Sequence, residues 1–190
     1  MQKHKTIMLD LESYNKLLSA KDAASRKSGR NLSFNAFILE LVSRKLDFLD
    51  IDDSLRRYLI RLAARLASIS HIDGVLLFGS VAKGSYKENS DIDILILTKD
   101  GGGYHEVMKV INSLRVEADG LSDKGLPSLV CPILIGMQDT KRFRPLYLDL
   151  ADYGIILYER ESALTDFINS VSRTKHERTF ENGVEVLTWQ

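Results

Sequence analysis

The chain has 190 residues, of which 44% are hydrophobic and 27% are charged, and its 26 basic residues balance 26 acidic ones. This composition is near the globular average, which argues against a disordered or collagen-like chain, and the zero net charge argues against a general polyanion binder. No apolar run approaches the roughly 18 residues of a membrane helix, and the first residues lack the apolar stretch of a signal peptide. A single cysteine, Cys131, cannot form an internal disulfide or a CxxC metal site. We therefore expect a soluble cytoplasmic protein with no membrane contact.

Positive charge is concentrated near the start of the chain. Residues 1–46 contain nine Lys and Arg against four Asp and Glu, whereas the remainder contains 17 against 22. A basic segment joined to a slightly acidic body indicates two functional parts. Because the apolar pattern lapses at 47–53, we predict one domain at 1–48 and a second at 52–190.

The first part has the pattern of a strand, a helix, a basic turn and a second helix. The short strand at 6–9 places Ile7 and Leu9 on one face, and Ser33 is the predicted cap of the second helix. One strand and two helices of this size cannot bury their own apolar faces. We therefore expect a homodimer in which the strands of two copies pair as an antiparallel ribbon.

This pattern resembles the ribbon-helix-helix family of DNA-binding domains over residues 5–46. In that family the paired strands enter the major groove of DNA. The resemblance implies DNA contacts through outward strand side chains and through the N-terminus of the second helix, which are His4, Thr6, Met8 and Ser33. A dimerisation module without DNA binding is the alternative.

From residue 54 onward, helical and strand patterns alternate, which indicates a layered domain of helices and sheet. The predicted elements are a helix at 54–69, a strand buried on both faces at 75–78, a strand at 92–97, a helix at 104–116, a strand at 128–136, a helix at 139–150, a strand at 155–158, a helix at 161–173 and a final hairpin with its turn at 181–183.

The loop that follows the buried strand is suited to binding phosphate. Gly79 and Ser80 end the strand and open a turn, so that unpaired backbone amides and a small hydroxyl face outward. Glycine also lets the backbone approach a ligand closely.

Asp91 and Asp93 open the next strand. Because strand side chains alternate, both carboxylates project from one face, about 6.5–7 Å apart along the chain, while the intervening Ile92 points into the core. Two neighbouring carboxylates repel each other unless a cation joins them, and Mg²⁺ is a hard ion that binds one or two carboxylates together with substrate phosphates. The loop and the acid pair together predict a site for a nucleoside triphosphate (NTP) and Mg²⁺.

The ordered run Gly-Ser-x-Ala-Lys-Gly, five residues and Ser-Asp-x-Asp, at 79–93, resembles the signature of the DNA polymerase β-like nucleotidyltransferase superfamily, and most of all its minimal nucleotidyltransferases. The resemblance implies an α+β domain with a mixed sheet, and the Mg²⁺- or Mn²⁺-dependent transfer of a nucleoside monophosphate from an NTP to an acceptor hydroxyl. By position it assigns catalysis and metal binding to Asp91 and Asp93. It assigns nucleotide binding to Gly79, Ser80, Lys83 and Ser90.

Members of the superfamily usually carry a third carboxylate on a neighbouring strand, but the matching strand here, 129–135, contains no acid. Pro132 removes a ladder donor and predicts an edge or bulged strand. The acids that precede this strand would substitute only if their segment folded back; they are Glu117, Asp119 and Asp123. Two interpretations stay open: an active nucleotidyltransferase, or a DNA-binding regulator or antitoxin with an inactive domain. Because some minimal nucleotidyltransferases act in toxin–antitoxin pairs, a toxin protein is a candidate partner.

Two further features have weaker assignments. Arg57, Arg61 and Arg65 recur every four residues, which is typical of a solvated helix face and also of a surface that contacts nucleic acid. Cys131 lies within an apolar strand, so we expect a buried and inert thiol.

Overall fold

The structure, a computed structural model, describes residues 51–173 without a gap, the backbone of 176–181 and 184–189, and isolated positions before residue 51 (18, 19, 21, 22, 25, 31, 33, 34, 37 and 49). The predicted N-terminal domain, 1–48, therefore lies outside the described residues except at those positions. Within the part of the chain that is described, no helix combines the length and apolar character needed to cross a membrane.

Helices and strands alternate along the described chain much as the sequence predicts. The elements are α1 (Asp53–Ala67), β1 (Ile72–Phe78), α2 (Gly79–Ala82), β2 (Ile92–Thr98), α3 (Tyr104–Ser113), α4 (Arg115–Ser122), β3 (Val130–Gly136), a 3₁₀ turn (Asp139–Lys141), α5 (Leu146–Tyr153), β4 (Ile155–Glu159), α6 (Ala163–Val171), β5 (His176–Glu181) and β6 (Val184–Trp189).

A four-stranded mixed sheet with the order β3-β2-β1-β4 forms the centre of the fold. Strand β1 pairs antiparallel with both β2 and β4, and β2 pairs parallel with β3. Strand β3 is an edge of this sheet, as Pro132 predicts. Strands β5 and β6 pair separately as the predicted antiparallel hairpin. The mixed-sheet α+β class is thus confirmed.

Helices cover both faces of the sheet. Along β2, Ile92, Ile94 and Ile96 pack in one cluster with residues of α1, α3 and α4. The alternate residues Leu95 and Leu97 pack in a second cluster with α5 and α6. Every residue of β1 is buried, as expected for a strand covered on both faces. Asp93 shares the α5–α6 face with Leu95 and Leu97, because strand side chains alternate.

Two predicted helices are wrong in their extent. The helix predicted at 104–116 is divided into α3 and α4 at Leu114, whose φ of −105° and ψ of 12° are not helical and whose side chain is fully buried. We therefore attribute the break between α3 and α4 to the burial of the Leu114 side chain. The helix predicted at 139–150 is a 3₁₀ turn followed by α5, because Pro145 disfavours a helical conformation at the residue before it and instead caps α5.

Candidate active site

The chain turns sharply at Gly79, between β1 and α2. Gly79 has a φ of +69°, in the left-handed region that glycine adopts readily. A Cβ atom at this position would overlap the Asp93 carboxylate. The phosphate loop and the acid pair, which the sequence predicts to lie together, are therefore in direct contact through these two residues.

Hydrogen bonds within the loop fix its path from Gly79 to Asp91. The Lys83 amide donates to the Gly79 carbonyl at 3.1 Å, and the Ser85 amide donates to the Ser80 carbonyl at 3.0 Å. The Ser90 hydroxyl accepts from the Lys87 amide at 2.8 Å. Ser90, predicted to bind nucleotide, thus closes the turn that precedes Asp91, while Ser80 is half-buried at the start of α2.

Asp91 and Asp93 form a local concentration of negative charge. Asp91 is exposed just before β2, and Asp93 is half-buried and pairs with Phe78 in the β1–β2 register. Burial, and then the charge of Asp91, raise the pKa of Asp93. A cation between the two carboxylates would relieve this repulsion, so the pair has the chemistry expected of a metal-binding site.

Cys131 lies beside the acid pair. In the parallel β2–β3 register it is the partner of Asp93, so that both side chains project from the same face of the sheet. The prediction of a buried thiol is wrong: Cys131 is half-exposed, because β3 is an edge strand. Burial, followed by the charge of Asp91, a hydrogen bond with Asp91 and the charge of Asp93, raises the pKa of Cys131. A thiol therefore stands where the resemblance leads us to expect a third carboxylate.

The acids of α4 do not complete the acid pair. Glu117 accepts a hydrogen bond from Arg61 Nη1 at 2.7 Å, and Asp119 and Asp123 are exposed. Among the residues that the structure describes, no three or more His, Cys, Asp or Glu side chains are grouped to hold a metal ion. Two carboxylates fit Mg²⁺ or Mn²⁺ when the remaining ligands are substrate phosphates and water.

Lys83 is held by two side chains of α5 that the sequence analysis did not identify. Its Nζ lies 2.8 Å from Asp149 Oδ1 and 4.6 Å from the centre of the Tyr153 ring. Lys83 and Asp149 are 66 residues apart in the sequence, so no local spacing indicates their contact. The ion pair keeps a positive charge next to the phosphate loop.

Only one predicted DNA-contacting residue lies among the described positions. The Ser33 carbonyl accepts from the Phe37 amide at 2.9 Å, as at the start of a helix, but most of the predicted second helix lies outside the described residues and stays a prediction. His4, Thr6 and Met8 lie outside the described residues, and DNA contact by all four stays a prediction.

Known proteins are similar to parts of this chain. Residues 59–131, from α1 through the acid pair to Cys131, match the family described as nucleotidyltransferase domain. A stretch of 40 residues is 50% identical to a putative protein adenylyltransferase of Methanocaldococcus jannaschii and covers 21% of this chain and 40% of that protein. A crystal structure of a toxin-antitoxin with AMP-PNP is 20% identical, with a TM-score of 0.41 over 61% of this chain and 82% of that one.

Proposed function

We propose that this chain, whose residues 59–131 match the nucleotidyltransferase domain family, transfers a nucleoside monophosphate from an NTP to an acceptor hydroxyl. The observation that carries the proposal is the contact between Gly79 of the phosphate loop and Asp93 of the acid pair. The similarity to a putative protein adenylyltransferase supports ATP as the donor.

The residues of the site have separate roles in this reaction. Asp91 and Asp93 would hold the metal, and the amides of Gly79 and Ser80 would donate to the β- and γ-phosphate oxygens. When bound, the metal lowers the pKa of the acceptor hydroxyl and neutralises charge on the phosphates. The acceptor hydroxyl gives its proton to solvent water, and its oxygen bonds to the α-phosphorus while the bond from that phosphorus to the bridging oxygen breaks. Pyrophosphate then leaves.

A transfer assay tests this proposal. The chain is incubated with α-labelled NTPs and Mg²⁺ or Mn²⁺ in a lysate of the source cells, beside Asp91→Asn/Asp93→Asn. Because the double variant lacks both metal-binding charges, we expect its labelling to fall by at least about 100-fold. The matched control is Asp119→Asn/Asp123→Asn, which removes two exposed carboxylates, one in α4 and one at its C-cap, and should label normally. Equal labelling by all three proteins would refute the proposal.

A second candidate function is a DNA-binding regulator or antitoxin whose nucleotidyltransferase domain is inactive, paired with a toxin protein. It is favoured by the thiol of Cys131 at the position next to Asp93. Its N-terminal domain would form the homodimer and contact DNA through His4, Thr6, Met8 and Ser33. The full-length chain should then shift DNA from upstream of its own operon, with an affinity that falls as salt rises. No salt-sensitive shift would count against it.

Replacing Cys131 with Asp separates the two candidates. This change places a third carboxylate next to Asp93 in the strand register. If the two carboxylates already support transfer, Cys131→Asp should change the transfer rate only modestly. If the wild-type site is inactive because it lacks a third carboxylate, transfer should appear only in Cys131→Asp. Cys131→Asn has the same size without the charge and serves as the control. Transfer that is equal in the Asp and Asn variants would contradict a role for charge at this position.

A further inference from the structure

A second site lies between α1 and α4, on the opposite face of the sheet from Asp93. It is a groove of about 350 Å³, and we call it the basic groove; its polar lining residues are Ser54, Arg57, Tyr58, Arg61, Glu117 and Lys124. Of these residues, Arg57 and Arg61 belong to the predicted helix stripe and Glu117 is one of the acids considered for the metal site, whereas no ligand is assigned above to Ser54, Tyr58 or Lys124.

The Ser54 hydroxyl accepts hydrogen bonds from two of the three cations of the basic groove, the two that do not pair with Glu117. Lys124 Nζ and Arg57 Nη2 donate to the Ser54 oxygen at 2.7 and 3.4 Å. Ser54 also makes a side-chain hydrogen bond to Asp52, which takes up its hydrogen, while Arg57 and Lys124 keep further N–H groups for another acceptor. The third cation, Arg61, donates to Glu117 at 2.7 Å.

Tyr58 supplies a further donor beneath the basic groove. Its side chain is only 3% exposed, and its hydroxyl has no hydrogen-bond partner among the residues described. Burial, and then the charge of Glu117, raise the pKa of Tyr58 to about 12, so that the phenol keeps its proton at neutral pH. A buried hydroxyl without a partner is unfavourable, and a bound acceptor would relieve that cost.

The basic groove therefore offers donors almost exclusively. Arg57, Lys124 and the hydroxyl of Tyr58 donate, and the one lining carboxylate, Glu117, is engaged by Arg61. Asp52 lies nearby but caps α1: hydrogen bonds from the Ser54 amide, the Ser54 side chain and the Leu55 amide, and then the charge of Lys124, lower the pKa of Asp52 although desolvation opposes them. A ligand that matches such a surface is an anion that carries only acceptors.

We propose that the basic groove binds a phosphate group. Phosphate oxygens accept charge-assisted hydrogen bonds from arginine and lysine, and the several oxygens of one group can accept from Arg57, Lys124 and Tyr58. The basic groove also borders the loop that precedes Asp91, since the Asp52 amide donates to the Tyr86 hydroxyl at 3.3 Å and Gly125, next to Lys124, lies against Glu88. The proposal concerns a separate site and does not depend on catalysis.

Equilibrium dialysis of the full chain against radiolabelled inorganic phosphate tests it, without divalent metal and at constant ionic strength. We expect Arg57→Gln/Lys124→Gln to bind phosphate at least about tenfold more weakly, because two charged donors are lost. The matched control, Lys109→Gln/Arg115→Gln, removes two exposed cations from α3 and α4 that do not line the basic groove. Equal phosphate affinity in the two variants, or equal competition by acetate, would overturn the proposal.

Two further arms sharpen the result. Tyr58→Phe should weaken phosphate binding while preserving or raising the unfolding temperature, since an unpartnered hydroxyl is removed; unchanged affinity would overturn the role of Tyr58. A single-stranded ten-nucleotide oligoadenylate then distinguishes the source of the phosphate. Binding at least about tenfold tighter than inorganic phosphate, with the same loss in the Arg57 and Lys124 variant, identifies a nucleic-acid strand; equal affinity identifies a small phosphate ligand. Both results support phosphate recognition.

Discussion

Gly79 has a left-handed backbone conformation and lies against the Asp93 carboxylate, so adding a methyl group at Gly79 tests whether this contact positions the site. In Gly79→Ala the new Cβ would overlap the Asp93 carboxylate and lie 3.0 Å from its Cγ. The φ of +69° would be retained at a residue that disfavours it, which destabilises the fold by about 1–2 kcal/mol. Asp93 must also rotate away, and an off-rotamer side chain adds about 1 kcal/mol.

Gly125→Ala is the matched control for this backbone effect. Gly125 has a φ of +67°, and its Cβ would meet Glu88 at 3.6 Å, which is an ordinary contact. The two variants thus share the left-handed penalty and differ by the displacement of Asp93. With about 2–4 °C lost per kcal/mol, we expect Gly125→Ala to lower the unfolding temperature by about 2–8 °C and Gly79→Ala by a further 2–4 °C.

The functional consequences should differ far more than the stabilities. Displacing Asp93 separates the acid pair, so we expect Gly79→Ala to lose at least about tenfold in transfer rate, measured below both unfolding temperatures. Gly125→Ala should keep the wild-type rate. Wild-type transfer by Gly79→Ala, or an equal loss in both variants, would refute the reasoning that the close approach of Gly79 to Asp93 positions the site.

Two more predictions concern the charges of the site. Burial and the charge of Asp91 raise the pKa of Asp93 in the folded state. The ionised Asp93 carboxylate therefore destabilises the fold at neutral pH. This effect vanishes as pH falls below 3.8, the ordinary pKa of an Asp side chain, because Asp93 is then protonated in both the folded and the unfolded state. Asp93→Asn should therefore unfold at a higher temperature than wild type at pH 7 but not at pH 3; no gain at pH 7 would contradict this. Asp149→Asn removes the partner of Lys83 in a partly exposed ion pair, so we expect the free energy of unfolding to change by at most about 1 kcal/mol. The KM for NTP should nevertheless shift severalfold. The control Asp152→Asn, on the same helix, should leave KM unchanged.

The sequence predicts the elements of the sheet better than the ends of its helices. β1 and β2 are short apolar runs between clear breaks, and α1 presents Leu55, Leu59, Leu62 and Leu66 as one fully buried stripe. At Leu114 the helical pattern continues although the chain turns, because burial of that side chain is a tertiary effect that periodicity does not record. The division before α5 was visible in the sequence, since Pro145 disfavours a continuous helix through residue 144.

In the candidate site, too, the sequence predicts contacts between neighbouring segments but not contacts that depend on tertiary packing. The contact between Gly79 and Asp93 joins segments that a short connection brings together, and the motif predicts it. The positions of Cys131 and Asp149 depend on strand register and on the packing of α5, both set by residues far away in the chain. A lone cysteine in an apolar run is typical of a core residue, and the edge strand that Pro132 predicts does not by itself indicate how exposed the Cys131 side chain is.

Several locally unfavourable features converge at one end of the sheet. Gly79 holds a left-handed conformation, Asp91 and Asp93 repel each other, and Cys131 is a half-exposed thiol beside them. None of these features stabilises the fold, and such exceptions are expected where function opposes stability. A divalent cation bound between Asp91 and Asp93 would stabilise this region, because each carboxylate is then attracted to the cation and their mutual repulsion is offset. The proposed nucleotide site should therefore be the part of the domain whose stability responds most to metal, whereas the basic groove should respond to phosphate without it.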